Sequence, residues 1–193
     1  TGSSYFLEIA KFRAARILWG NLLNNYGAEY KSAKPYLHAE TSIWNKTLYD
    51  PYTNMLRTTT EAMSAAIGGC DSITVHPFDA HFREPDNFSN RIARNQQIIL
   101  EKEAYLDKVT DPSAGSYYIE KLTDALGKEA WDLFKEIEVE GGLFKTIEHG
   151  TVQSAIQEAQ QKRDLRIASG KRVFVGINQY SNPEESSDDI QTA

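Results

Sequence analysis

The sequence predicts a helix-rich α/β protein, a parallel strand-and-helix unit followed by a long helical extension. Three observations predict it. Helical and extended patterns alternate in the order helix, strand, helix, strand, helix over the first half, which is the order of a parallel unit. The second half then carries helical patterns in succession. Finally, the 193 residues fall short of the roughly 250 of a complete (β/α)8 barrel, and two strands alone do not make a stable parallel sheet. Further strands must therefore come from other segments, another copy or sequence beyond this chain.

Each element has a local cause. From Tyr5 to about Tyr26, Leu7, Ala10, Ala14, Ile17 and Leu18 recur at three- and four-residue spacing among basic residues, which predicts an amphipathic helix. Ser3 or Ser4 is placed to cap it and Gly27 to close it. Tyr36 to Ser42 alternates as a strand. A second helix starts near Asp50-Pro51, with Met55, Thr59, Met63 and Ala66 on its inner face, and ends at Gly68-Gly69. Ser72 to His76 forms the second strand, stopped by Pro77. A third helix runs from about Asn87 to Leu106, with Ile92, Ile99 and Leu100 on its apolar side. After the turn Asp111-Pro-Ser-Ala-Gly115, Thr123 is expected to cap a helix bearing Leu126, Ala130, Leu133, Phe134 and Ile137. Gly141-Gly142 ends it, a short helix reaches His149-Gly150, and Thr151 caps a last one to about Ser169-Gly170. Arg172 to Asn178 is expected either as a strand or as an extended packing segment.

Composition excludes several functions. No apolar run is long enough to span a bilayer, and 27 acids against 21 Lys and Arg, a net charge of −6, leave no basic surface for nucleic acid. Cys70 is the single cysteine, so there is no internal disulfide and no cysteine-based metal site, which fits a reducing, cytoplasmic setting. Thr1-Gly-Ser-Ser has neither the basic nor the apolar region of a signal peptide. With no initiator Met, the chain reads as a piece of something longer. The acidic, aromatic-free stretch over residues 181–193 reads as a disordered tail.

The two strands carry one polar face each. Period two places Tyr36, His38, Glu40 and Ser42 together on the first, and Ser72, Thr74 and His76 together on the second. Such faces belong either to edge strands with a solvated side or to strands lining the lumen of a barrel, where the C-terminal strand ends hold the chemistry. Trp44 follows directly after the first strand. His149, in a helix-terminal Glu-His-Gly, is expected to serve the last carbonyls of its helix. No nucleophile motif, phosphate loop or dinucleotide fingerprint is present.

A set of collinear segments resembles one family. Glu8-Ile-Ala-Lys-Phe-Arg-Ala-Ala-Arg16, His38-Ala-Glu-Thr-Ser-Ile-Trp44, Asp50-Pro-Tyr-Thr-Asn-Met-Leu-Arg-Thr58, Glu61-Ala-Met63, Arg91-Ile-Ala-Arg-Asn-Gln-Gln97, Asp111-Pro-Ser-Ala-Gly-Ser-Tyr117 and Val175-Gly-Ile-Asn178 resemble methylmalonyl-CoA mutase over about residues 4–180. The resemblance implies the C-terminal portion of a TIM-type substrate barrel over residues 1–110 and a helical extension toward a cobalamin domain over 111–180. It also implies adenosylcobalamin as the parent enzyme's cofactor and an acyl-CoA as its substrate, interconverting methylmalonyl-CoA and succinyl-CoA. The cofactor supplies radical chemistry while the barrel positions the thioester.

By that resemblance His38 falls at a substrate-facing position, and Glu61 and Ala62 fall near the adenosyl group and corrin. The departures cluster. Glu40 stands where the catalytic pattern has glutamine, Ile43 where it has glycine, and His76-Pro77 where it has a small polar pair. A carboxylate unpaired in a water-poor lumen is costly, and Ile43 fills space a glycine leaves open. Asp79-Ala-His81 matches only the start of the Asp-x-His-x-x-Gly signature that ligates cobalt in some cobalamin proteins, and Glu84 stands in place of its glycine. The expectation is a degenerate site, with no metal and no cobalamin bound by this chain. It resembles the non-catalytic small subunit of heterodimeric members, partnered with a catalytic large subunit. An active mutase of related specificity and a stand-alone interaction module are the alternatives.

Overall fold

The computed structural model describes residues 1–28 and 34–183. It is a helix-rich α/β structure whose described residues divide into two compact units, one up to Lys128 and one from Glu129 to residue 183. The elements in chain order are α1 (Tyr5–Asn25), β1 (His38–Glu40), α2 (Thr53–Ile67), β2 (Ser72–Thr74), α3 (Asn87–Lys102), α4 (Tyr117–Val139), α5 (Leu143–Glu148) and α6 (Thr151–Ala168). Most of the tail expected to be disordered, residues 184–193, lies outside the described residues.

In the first unit β1 and β2 pair in parallel, with His38 opposite Ser72, Ala39 opposite Ile73 and Glu40 opposite Thr74. Both strands are shorter than the sequence suggests. Along β1 the alternation is as expected, with Tyr36, His38 and Glu40 exposed and Ala39 and Thr41 buried, whereas Ser72 and Ile73 of β2 are both half-buried. The ladder continues one step past the strands, where Thr41 N–H donates to Thr74 O at 3.1 Å. On the other edge of β1, the Thr1 nitrogen donates to Glu40 O, and Ser42 N–H donates to Thr1 O at 2.8 Å. A residue that gives to one side and takes from two residues further along is in the register of a parallel strand. Among the described residues the sheet itself has two strands, β1 and β2.

Helices cover the sheet's buried face. Phe12, Ala39 and Ala65 form one core cluster, and Ala62, Val75, Ala93 and Leu100 another. α1 lies where the sequence places it and Gly27 closes it with φ +78°, but the face it buries is Ile9, Ala10, Phe12 and Ala14, while Leu7 and Ile17 of the expected stripe are exposed and Ser4 makes no side-chain cap. α3 opens on a capping box in which Asp86 accepts from Ser89 N–H at 2.8 Å and Ser89 Oγ accepts from Asp86 N–H at 3.0 Å. It ends at Lys102, four residues before Leu106, and Ile99 is exposed.

Three further helical expectations are corrected. On α2 the buried face is not Met55, Thr59, Met63 and Ala66 but Asn54, Thr58, Glu61, Ala62 and Ala65, turned by about one residue. The reason is chemical: the inner stripe is largely polar, so an apolar count points to its flank. Thr123 is not a cap, because α4 begins at Tyr117 and Thr123 is buried within it, accepting from Arg13 Nη1 at 3.0 Å. The same guanidinium donates to Asp111 and Glu120, which ties α1 to the start of α4. Thr151 is the first residue of α6 rather than its cap; that place belongs to Gly150, at φ +80°.

In the second unit α4 ends at Val139 before Gly141-Gly142, as the sequence suggests, with Trp131 stacked on Phe134 at 5.3 Å between centroids. Residues 172–178 form a packing turn rather than a strand. Asn178 Nδ2 donates to Ile167 O and Arg172 O, and its Oδ1 accepts from Phe174 N–H.

Candidate functional site

Parallel register brings the exposed polar faces of β1 and β2 side by side, and the side chains meet across them. His38 Nδ1 lies 2.6 Å from Ser72 Oγ and its Nε2 lies 3.2 Å from Thr74 Oγ1, so hydroxyls of the opposite strand engage both ring nitrogens. Two residues along, His76 Nε2 lies 2.7 Å from Glu40 Oε1. His76 is aimed there by its own backbone, whose N–H donates to the buried Thr41 Oγ1 at 2.9 Å. Glu40 is therefore not an isolated carboxylate. The two departures noted separately in the sequence form one pair.

The loop after β1 folds onto α2. Glu61, 1% exposed, is buried at its centre. Its carboxylate accepts from Ser42 N–H at 3.2 Å, from Asn45 Nδ2, and from Lys46 Nζ at 2.8 and 2.9 Å. The Lys46 side chain is itself only 3% exposed. Burial pushes the Lys46 ammonium below its ordinary pKa, and the adjacent Glu61 carboxylate opposes that shift. One turn before Glu61, Arg57 Nη1 donates to Thr47 Oγ1 at 2.9 Å, and one further turn back Asn54 accepts from Thr47 N–H at 3.1 Å. Asn54 Nδ2 donates to Thr47 O and to Phe78 O, the latter in the loop after β2.

The other candidate positions fall around this core. Ala62 is fully buried beside Glu61, while Ile43 and Trp44 are exposed at the outer turn of the loop. After β2, Asp79 is fully buried, and its Oδ2 accepts from Arg83 Nε at 2.7 Å. Asp79 Oδ1 and both His81 ring nitrogens are buried without a hydrogen-bond partner. Burial lowers the His81 pKa, Lys46 lowers it further, and Asp79 opposes both. Among the described residues no three His, Cys, Asp or Glu side chains converge as a metal site would require.

The structure thus gathers His38, Glu40 and His76 on one face and sets Glu61 and Ala62 beneath the adjoining loop. Lys46, Asn45, Asn54 and Arg57 were not anticipated. The available signal was the spacing of Asn54, Arg57 and Glu61 on one face of α2, a polar stripe facing inward.

A family model described as methylmalonyl-CoA mutase matches residues 1–193. Among curated relatives, the methylmalonyl-CoA mutase small subunit of Porphyromonas gingivalis is 52% identical over 190 residues, covering 97% of this chain and 31% of that protein. The large subunit from the same organism is 43% identical over 190 residues, with 98% and 27% covered. Methylmalonyl-CoA mutase of Escherichia coli is also 43% identical, again with 98% and 27% covered. The chain thus spans under a third of the length of these relatives.

Proposed function

Because the chain belongs to the methylmalonyl-CoA mutase family, we propose that it is part of a non-catalytic small subunit that pairs with and supports a catalytic large subunit. The parent assembly interconverts methylmalonyl-CoA and succinyl-CoA with adenosylcobalamin. In this reading residues 1–110 are the closing βα units of the acyl-CoA barrel, residues 111–180 lead toward the cobalamin domain, and residues 181–193 are a disordered tail. The proposed location is cytoplasmic; among the described residues no helix is long and apolar enough to cross a membrane.

One observation carries the non-catalytic reading. Glu61, which the resemblance points toward the adenosyl group, is instead buried and fully engaged by Lys46, Asn45 and Ser42. A carboxylate neutralised inside its own chain has no capacity left for a ligand, so the residues present do not fit the cofactor. The substrate-facing positions are likewise engaged within the chain, Glu40 with His76 and His38 with Ser72 and Thr74. The subunit's contribution is therefore structural. The identities agree, at 52% to a small subunit against 43% to the large subunit of the same organism.

Reconstitution tests this. With the large subunit's own site inactivated, the complex is expected to show no adenosylcobalamin-dependent turnover. Turnover from this subunit would overturn the reading.

A further inference from the structure

We infer that Lys46 is an internal ligand of this site, latching the loop over residues 41–47 closed onto α2 with nothing bound. The inference rests on the non-catalytic reading above and assigns the residue that fills the position. In enzymes of this architecture, loops at the C-terminal strand ends close on a ligand and draw part of their order from it. Here the chain supplies every closing contact itself.

The grip comes from one face of one rigid helix. Asn54, Arg57 and Glu61 lie three and four residues apart on α2. Asn54 brackets Thr47 through both its backbone N–H and its C=O, at 3.1 and 2.9 Å, and Arg57 takes the Thr47 hydroxyl. Glu61 holds the near end through Ser42 N–H and the middle through Asn45 and Lys46. Lys46 Nζ also donates to Asn45 Oδ1 at 2.9 Å, so three polar side chains close on each other. Ordering a loop costs about 1–2 kcal/mol per residue of backbone entropy, and a buried carboxylate tolerates no vacancy in its partners. The ammonium answers both demands, since it donates to both Glu61 oxygens, at 2.8 and 2.9 Å. Asn54 Nδ2 on Phe78 O extends the latch to the loop after β2. Lys46 is thus a positioning residue, acting on the site through the loop it pins.

Amide hydrogen exchange over residues 42–47, in the intact subunit complexed with its large subunit, tests the latch. For the wild type, protection should agree within about twofold with and without adenosylcobalamin and acyl-CoA substrate. Lys46→Met leaves Glu61 buried without its cation, and loop exchange should rise by about a hundredfold, with Lys46→Arg recovering much of the protection. Where Lys46→Met does not assemble, Lys46→Met with Glu61→Gln removes both charges and should still exchange at least about tenfold faster than the parent. Protection of the wild-type loop that rises tenfold on adding ligands overturns the inference. So does either variant exchanging at the wild-type rate. Turnover by this subunit with unchanged loop exchange would overturn the functional reading alone, so the two failures are distinguishable.

Discussion

The same substitution, glycine to alanine, should have opposite signs at two positions of the first unit. Gly68 ends α2 with φ −71°, a conformation alanine adopts freely, so loss of unfolded-state freedom alone would stabilise by about 0.4–1 kcal/mol. A Cβ there, however, would stand 3.1 Å from Phe12 Cδ2, 3.1 Å from Ser64 O and 3.2 Å from Ile9 Cα. Two of those three atoms are backbone, one on each of the helices α1 and α2, and neither yields without moving its helix. Overpacking of this kind costs about 1–3 kcal/mol, so Gly68→Ala should be net destabilising by about 1–2 kcal/mol. Gly20 lies inside α1, and a Cβ there meets nothing within 4 Å. Gly20→Ala should then gain the ordinary helix increment of about 0.5–1 kcal/mol. Equilibrium urea unfolding of the intact subunit carrying each change measures both. A neutral or stabilising Gly68→Ala would refute the close approach of α1 and α2 on which the packing argument depends.

Other outcomes follow from the burial of single groups. Thr123→Val keeps the shape but removes the hydroxyl that accepts from Arg13 Nη1; at 3% exposure it should cost about 1–2 kcal/mol in urea unfolding. Burial holds His81 neutral in the folded state, so the unfolded chain binds the proton more readily. The stabilisation is fully present above the ordinary imidazole pKa of about 6.5 and is lost as pH falls from there toward the lowered folded value. Urea midpoints measured from pH 8 to pH 5 should decline for the parent and decline less for His81→Asn. The Cys70 thiol is half-buried and pushed up to about 11, so its thiolate is scarce. Iodoacetamide at pH 8 should label it at least about tenfold more slowly than a free thiol; labelling at the free rate would contradict that burial.

What could be read from the sequence depended on whether an element's inner face was apolar. The limits of α1 follow within a residue or two from its pattern and closing glycine, yet apolar residues lie on several of its faces, so the spacing points to Leu7 and Ile17 where the structure buries Ile9 and Phe12. α2 buries Asn54, Thr58 and Glu61, so hydrophobic periodicity points beside its true inner face, and the residues that hold the site were overlooked for the same reason. Thr123 resembles a cap because threonine favours that position, yet its hydroxyl is taken by Arg13, 110 positions away in sequence. Alternation along β1 was legible, and with it the shared face of His38 and Glu40. Their pairing with β2 was not, because it depends on the register between strands of three residues, which no local pattern sets. Lys46 is the plainest case: a lysine in a polar loop carries no sign of being buried until Glu61, fifteen residues on, is folded over it.

These pairings bear on how the site is kept. Glu40 and His76 each satisfy a group that would otherwise face its neighbour alone, and Lys46 and Glu61 do the same at greater depth. Restoring a single position of the catalytic pattern, for example glutamine at 40, strands the histidine that matched the carboxylate. Removing Lys46 to free Glu61 leaves a buried charge, at a cost of about 3–5 kcal/mol before any ligand compensates. The cost is large at the buried Lys46–Glu61 pair and small at Glu40, whose side chain is 59% exposed. A site of this kind holds its shape because its polar groups are mutually satisfied.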